Sequence, residues 1–142
     1  MKDKTIIITG AARGFGEGIA RELFKQGANL VLVDIIKGAG IKLEEELNSS
    51  SSDNTALFIE CDVTDYDAVH KMANTVVNNF GGIDILISNA GILHAGGLDE
   101  MDTETFEMVT RVNYQGYFNC VKAVSSHMIR QHKNDKGRFM DI

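Results

Sequence analysis

Two hydrophobic patterns alternate along this chain. Short runs of apolar and β-branched residues predict strands at 5–8, 28–34, 55–62 and within 81–91, and a fifth run begins at 138. Between these runs, apolar residues recur every three or four positions and predict helices at about 14–27, at 38–47, from Thr64 or Asp65 to 80, and from Asp102 or Thr103 to 132. Strands that are apolar on both faces fit a parallel sheet covered by helices on both sides. The pattern therefore predicts an α/β fold.

The long helix at 103–132 has its apolar residues on one stripe. The stripe consists of Phe106, Val109, Val112, Gly116, Tyr117, Cys120, Val124 and Met128. Asn113 falls on the same stripe. An asparagine among core positions has polar groups that need partners, so we expect Asn113 to have a structural partner or a function.

The first strand leads into its helix through a glycine-rich turn. Thr9 and Gly10 end the strand, the helix begins near Gly14, and Gly16 lies in its first turn. At the three glycines a side chain would keep a ligand away from the backbone. The start of a helix offers unpaired N–H donors and about half a positive charge, which suit a phosphate or pyrophosphate group. Glycines also occur in tight turns for conformational reasons alone, and that alternative stays open.

The second strand ends in a carboxylate, Asp34, which lies 18 residues after Gly16. This is close to where a dinucleotide-binding fold has the acid that accepts hydrogen bonds from the adenine ribose. A 2′-phosphate about 4 Å from that carboxylate would meet a repulsion of about 4 kcal/mol at an effective dielectric of about 20. The sequence therefore favours NAD over NADP. Arg13 and Lys37 argue the other way, because a basic side chain beside the turn pairs well with a phosphate.

Composition narrows the class of partner. The 142 residues have a formal net charge of −6 and no dense cluster of basic residues, which argues against nucleic acid and anionic membranes. The N-terminus does not resemble a secretory signal, and no run is long enough to span a bilayer. Cys61 and Cys120 lack the spacing of a disulfide framework or a metal site, so we expect buried thiols in a cytoplasmic protein.

Three motifs together carry a resemblance to a known family. Thr9-Gly10-Ala-Ala-Arg13-Gly14-Phe15-Gly16 resembles the Thr-Gly-x-x-x-Gly-x-Gly motif of the short-chain dehydrogenase/reductase family. Ser88-Asn89-Ala90-Gly91 follows the fourth strand and differs by one residue from the family's Asn-Asn-Ala-Gly. Asn113-Tyr-Gln-Gly116 is similar to its Asn-x-x-Gly. The chain thus resembles the N-terminal, cofactor-binding portion of such an enzyme.

The resemblance implies a fold, a cofactor and a set of site residues. The fold would be a doubly wound, Rossmann-like parallel sheet of order 3-2-1-4-5, formed by a dinucleotide-binding domain over 1–142 that ends at the start of strand 5. Asn113 would be catalytic and hold a water molecule in a proton relay, and Asp62 would bind the adenine amino group. The residues expected to bind NAD are Thr9, Gly10, Arg13, Gly14, Phe15, Gly16, Asp34, Ile35, Asp62, Val63, Asn89, Ala90, Gly91 and Val112.

The family's activity is hydride transfer between nicotinamide and an alcohol, a polyol or the corresponding ketone. Its Tyr-x-x-x-Lys is absent, because none of Tyr66, Tyr114 and Tyr117 has a lysine four residues later. We therefore expect the 142 residues to be inactive alone. The run 87–101 is similar to sorbitol-6-phosphate dehydrogenases within the family. The exposed edge expected at strand 5 and the helix 103–132 predict a homo-oligomer.

Two other functions fit parts of the same pattern. A non-catalytic protein that only binds a dinucleotide would need the turn and Asp34 but no catalytic residues. A methyltransferase also has glycines after its first strand and an acid after its second. It normally has an acid before the glycines, however, where this chain has Thr9, and it does not need Asn89 or Asn113.

Overall fold

The computed structural model describes residues 1–134, with side chains for residues 1–132. Four strands and five α-helices alternate along this part of the chain, and a π-helical segment joins the last two helices. In chain order the elements are β1 (Thr5–Thr9), α1 (Gly14–Lys25), β2 (Asn29–Asp34), α2 (Lys37–Asn48), β3 (Ala56–Glu60), α3 (Tyr66–Phe80), β4 (Ile85–Ser88), α4 (Thr103–Thr110), the π-helical segment Arg111–Gln115, and α5 (Gly116–Asn134).

The four strands form a parallel sheet of order β3-β2-β1-β4. In register, Thr9 is paired with Val33 on one side and with Ser88 on the other. The sheet confirms the predicted Rossmann-like α/β fold and the predicted order for strands 1 to 4. The fifth strand, predicted to begin at 138, lies outside the described residues.

The sheet is covered on both faces because successive side chains of a strand point to opposite sides. Ile7, Val31, Val33 and Leu86 face α3 and α5, and pack with Val69, Met72, Val76, Val124 and Met128. Ile6, Ile8, Leu30 and Leu32 face α1 and α2, and pack with Ala20, Phe24, Leu43 and Leu47. Complete burial of one such aliphatic side chain stabilises the fold by about 1.5–3 kcal/mol. The carboxyl ends of the strands are thereby held at one edge of a rigid layer.

Carboxylates fix the starts of two helices. Of the two candidates for the start of α3, Asp65 is the cap, and its side chain accepts hydrogen bonds from the backbone N–H groups of Asp67 and Ala68. Asp102 caps α4 in the same way by accepting from the N–H of Thr105. Both side chains satisfy donors that have no partner inside the helix.

Two amide side chains dock α5 against the rest of the molecule. Near its start, Nδ2 of the buried Asn119 donates to the carbonyl oxygens of Val63, at 2.9 Å, and Thr64, at 3.3 Å. Near its other end, Nε2 of Gln131 donates to the carbonyl of Ile83, and the N–H of Ile83 donates back to Oε1, both at 2.9 Å. The helix is therefore attached at one point after β3 and at another before β4.

The single stripe predicted for residues 103–132 is wrong for the first half of that region. Helix α4 has no buried residue, Phe106 and Tyr117 are exposed, and Asn113 is exposed rather than among core positions. Helix α4 packs mainly against the π-helical segment that follows it and not against the sheet, so its apolar residues are not covered. The wider turn of that segment also breaks the 3.6-residue period between α4 and α5. Cys120, Val124 and Met128 are buried as predicted.

Helix α1 begins against the turn that precedes it. A Cβ atom added at Gly16 would collide with the carbonyl oxygen of Gly10 and lie 2.7 Å from Nδ2 of Asn89. Gly18, half a turn further along the same helix, has no heavy atom within 4 Å of such a Cβ. The first glycine is thus required by packing, whereas the second is not.

This contrast gives a matched pair of variants. We expect Gly16→Ala to lower the free energy of unfolding by about 2–3 kcal/mol, because a backbone atom cannot move aside for the methyl group. Gly18→Ala should raise it by about 0.5–1 kcal/mol, since alanine favours a helix over glycine. Urea unfolding followed by circular dichroism measures both, as the chain has no tryptophan. Equal effects of the two substitutions would contradict this packing.

The burial of one histidine predicts that the stability of the fold depends on pH. His127 on α5 is 7% exposed, its Nδ1 accepts a hydrogen bond from Arg130, and its Nε2 has no partner among the described residues. Burial lowers the pKa of His127 below its ordinary value, and the positive charges of Arg130 and His70 lower it further. The folded protein therefore holds this imidazole neutral at pH values where the unfolded chain already binds a proton.

We expect the free energy of unfolding to fall as the pH drops below about 6.5, the ordinary pKa of histidine. His127→Gln keeps an acceptor for Arg130 but cannot titrate. Between about pH 7.5 and about pH 5.5, the free energy of unfolding should therefore fall more for the wild type than for the variant. Urea titrations at the two pH values measure it. A difference that is the same at both values would show that His127 does not titrate in this range.

Candidate functional site

A cleft of about 580 Å³ lies at the carboxyl ends of the strands. Its walls come from the turn after β1, the ends of β2 and β3, the loop after β4, and the region of α4 and the π-helical segment. Twelve of the fourteen residues predicted to bind a cofactor line it: Gly10, Arg13, Gly14, Phe15, Asp34, Ile35, Asp62, Val63, Asn89, Ala90, Gly91 and Val112. The structure thus brings residues from distant parts of the sequence into one cavity.

The other two predicted residues, Thr9 and Gly16, lie behind the wall of the cleft. Oγ1 of Thr9 accepts hydrogen bonds from the N–H groups of Asn89 and Ala90, both at 3.0 Å. In return, Nδ2 of Asn89 donates to the carbonyls of Thr9, at 3.0 Å, and Gly10, at 3.1 Å. These four bonds form a clamp that joins the ends of β1 and β4. Both amide hydrogens of Asn89 are used in it, and Oδ1 has no partner within residues 1–134.

The structure shows why glycine is needed at these positions of the turn, and for two of the three the reason differs from the one predicted. Gly10 has φ +65°, and a Cβ there would lie 2.8 Å from Cα of Ala90, so its neighbour is the protein itself. The same holds for Gly16. Gly10 also lines the cleft, but of the three glycines only Gly14, with φ +60°, has open space around an added Cβ, as expected where the backbone is left accessible to a ligand. It begins α1, whose first turn has no side-chain cap in the described part of the chain.

Asp34 is fixed in the cleft by two backbone donors. Oδ2 accepts from the N–H of Ala12 at 2.9 Å, and Oδ1 accepts from the N–H of Ile36 at 3.0 Å. The carboxylate therefore braces the turn after β1 against the turn after β2. Each oxygen keeps a second lone pair with which it can accept from a ligand.

Asp62 and Val63 form the end of the cleft that follows β3. Oδ1 of Asp62 accepts from the N–H of Thr64 at 2.8 Å. Next to it, burial, with smaller effects of the negative charges of Asp62 and Asp65, raises the pKa of the Cys61 thiol to about 11. Burial, with a smaller effect of Cys61, likewise raises the pKa of Cys120 to about 12. Both cysteines are free and buried, as predicted, and remain protonated near neutral pH.

Asn113 does not line the cleft but holds a residue that does. Its Oδ1 accepts from the N–H of Ile92, and its Nδ2 donates to the carbonyl of Ile92, both at 2.8 Å. The amide therefore fixes the loop after β4 against the π-helical segment. One Nδ2 hydrogen and one Oδ1 lone pair remain for a water molecule or a substrate.

The sequence prediction missed seven residues of the cleft: Val33, Ile36, Cys61, Thr64, Ile92, Met108 and Arg111. Most of them adjoin predicted residues along the chain, so a wider window would have included them. Met108 lies four positions before Val112, which places the two on the same side of a regular helix. Arg111 directly precedes the predicted Val112, but nothing in the pattern indicated that a π-helical turn occurs there.

A second cavity of about 580 Å³ lies between α1, α2 and the loop at 49–54. Its Arg21 is committed to ion pairs with Glu17 and Glu46, and none of the predicted site residues lines it. Among the residues described, no helix is long and apolar enough to cross a membrane. Within the same part of the chain, no cluster of three or more histidine, cysteine or acidic side chains could hold a metal ion.

Comparison with known proteins agrees with this geometry. Residues 4–140 match the family model of the short chain dehydrogenases. Trans-4-hydroxycyclohexanecarboxylate dehydrogenase of Sinomonas cyclohexanicum is 34% identical over 85% of this chain and 48% of its own length. A 3-oxoacyl-(acyl-carrier-protein) reductase of Staphylococcus aureus is 35% identical over 90% of this chain and 52% of its own length.

Among solved structures, the 3-ketoacyl-(acyl-carrier-protein) reductase of Brucella melitensis in complex with NADH superposes with a TM-score of 0.89. It is 29% identical, and the alignment covers 98% of this chain and 55% of the reductase. The chain thus spans about half the length of the relatives it matches. On the family match, the relatives and the sheet order together, the chain belongs to the short-chain dehydrogenase family.

Proposed function

We propose that the cleft binds NAD, and that the protein transfers hydride between its nicotinamide and an alcohol, a polyol or the corresponding ketone. One observation supports this most directly: the uncapped start of α1, Asp34 and Asn89 all lie in or at the same cleft. A dinucleotide needs a phosphate site, a ribose acceptor and a second ribose site in one row, at the carboxyl ends of parallel strands.

The residues present fit such a cofactor. The start of α1 has N–H donors that no side chain satisfies in the described part, and Gly14 leaves the approach to them open. The exposed Arg13 beside them supplies positive charge for the pyrophosphate. The volume of the cleft is within the range of small-molecule sites. When bound, the cofactor supplies the hydride chemistry, and the protein binds and orients it.

Each wall of the cleft has a proposed task. Gly10, Gly14 and Phe15 would contact the pyrophosphate, Asp34 and Ile35 the adenine ribose, and Asp62, Val63 and Val112 the adenine. Oδ1 of Asn89, which the clamp leaves without a partner in the described part of the chain, would accept from the nicotinamide ribose, beside Ala90 and Gly91. Thr9 and Gly16 would act indirectly by holding these walls in place.

Asn113 is the proposed catalytic residue of this part of the protein. Its free donor and acceptor would hold a water molecule at the loop after β4 and thereby pass a proton. No Tyr-x-x-x-Lys occurs in the 142 residues, so we expect them to bind the cofactor without completing the reaction. The alternative of a protein that only binds a dinucleotide uses the same cleft and differs in this last step.

The substrate is proposed only as a class. The names of the two relatives specify hydroxy and oxo compounds. The resemblance of the run 87–101 to sorbitol-6-phosphate dehydrogenases favours a polyol. We further propose a cytoplasmic protein, since its two cysteines are free and buried. Self-association through the helical region 103–132 is proposed because Phe106, Tyr114, Phe118 and Ile129 are exposed there.

Binding of NADH and NADPH tests the proposal. We expect NADH to bind at least about tenfold more tightly, because a 2′-phosphate would approach the fixed carboxylate of Asp34. Asp34→Asn should reduce the ratio of the two dissociation constants toward one. Isothermal titration calorimetry measures both constants. The ratio is insensitive to general loosening of the turn, since both ligands use the same cleft.

Asp53→Asn is the matched control, as it removes the same charge from an exposed loop residue outside the cleft. It should leave the ratio unchanged. Absence of binding of either dinucleotide to the wild type would refute the proposed function. Equal binding of the two would refute the preference for NAD and leave the dinucleotide site standing.

A further inference from the structure

The buried amide of Asn119 contacts the cleft wall from behind. It is 4% exposed, lies in the first turn of α5, and donates both of its Nδ2 hydrogens to the carbonyls of Val63 and Thr64. Those two residues line the cleft, whereas Asn119 does not. Because the two donors are used on adjacent residues, the amide fixes the path of the backbone there and not only the distance to the helix.

A second contact holds the turn after β3 against α5. A Cβ atom added at Gly116 would lie 2.6 Å from Cγ2 of Val63, so the helix approaches the turn as closely as its backbone allows. Gly116 and Asn119 are three positions apart and therefore lie on one face of α5. One supplies a steric stop, and the other supplies two hydrogen bonds.

The turn fixed in this way orients one carboxylate. Asp62 directly precedes Val63, and its Oδ1 accepts from the N–H of Thr64, one of the residues that Asn119 holds. This leaves Oδ2 of an exposed carboxylate at the end of the cleft. An acceptor fixed in position discriminates strongly between a ligand group that donates a hydrogen bond and one that accepts.

A helix anchor alone would not need this arrangement. Gln131 also attaches α5 by two hydrogen bonds, yet its partner Ile83 is remote from the cleft walls. We infer that Asn119 is a positioning residue that sets the carboxylate of Asp62 to accept from the amino group of adenine, and thereby selects an amino-purine dinucleotide. This inference rests on the proposed dinucleotide function.

The test compares NADH with reduced nicotinamide hypoxanthine dinucleotide, in which an oxo group replaces the amino group of the base. We expect the wild type to bind NADH about tenfold more tightly, since the oxo group cannot donate to the carboxylate. Asn119→Leu should reduce this preference to less than about threefold, because the turn then loses both donors. Gln131→Leu, the matched control, removes two hydrogen bonds from the same helix and should retain the preference.

Gly116→Ala gives a second variant should Asn119→Leu fail to fold. Its methyl group displaces Val63, and the preference should fall as well, while Gly18→Ala should leave it intact. No binding of NADH to the wild type would refute the proposed function itself. Binding of NADH with a preference that survives in Asn119→Leu, or in Gly116→Ala when the first variant does not fold, would overturn the inference alone and leave Asn119 as a helix anchor. Loss of the preference in Gln131→Leu as well would overturn it too.

Discussion

The cleft depends on the clamp between Thr9 and Asn89. Parallel neighbours β1 and β4 are separated by about half the chain, and hydrogen bonding along the strands stops where the two ends diverge into their loops. Four hydrogen bonds continue the connection beyond that point. They use a hydroxyl as double acceptor and an amide as double donor, so replacing either side chain by an apolar one leaves partly buried backbone groups unpaired. The glycine turn and the loop after β4 therefore face one another at a fixed distance.

Hydrogen bonds from a side chain to the backbone of another element recur around the cleft. Asp34 ties the turn after β1 to the turn after β2, Asn113 holds Ile92, and Asn119 holds Val63 and Thr64. In each case a polar side chain binds the backbone of a different element, and parallel strands supply the edge at which these elements meet. Loops are ordinarily the most mobile parts of an α/β protein. Here side chains set their backbone positions, so the cofactor binding that we propose would require little further ordering of the loops.

Much of the fold and of the candidate site could be predicted from the sequence, and the features that were missed have physical causes. Two-sided apolar runs such as 29–34 mark central parallel strands, and glycines at fixed spacing mark the turn, because both constraints are local. Asn113 was wrongly predicted among core positions. The prediction continued a regular 3.6-residue period through residues 111–115, and no sequence pattern indicates that this segment is π-helical. Asn119 was missed because the stripe was defined by apolar residues alone. Asn119 is polar, and it is buried because it donates hydrogen bonds to backbone carbonyls that are distant in the sequence. The need for glycine at positions 10 and 16 follows from how closely Asn89 and Ala90 approach the turn, and that approach is known only once the fold is known.

The most direct test of this account is a map of amide chemical shifts during titration with NADH. If the dinucleotide lies in the cleft, the largest changes fall on the first turn of α1 at Phe15 and Gly16, on Asp34 to Ile36, and on Asp62 to Thr64. The amides around the second cavity, at 50–54, remain unchanged. Changes concentrated at 50–54, or none at the start of α1 while NADH binds, would contradict the claim that the clamp between Thr9 and Asn89 builds a dinucleotide site.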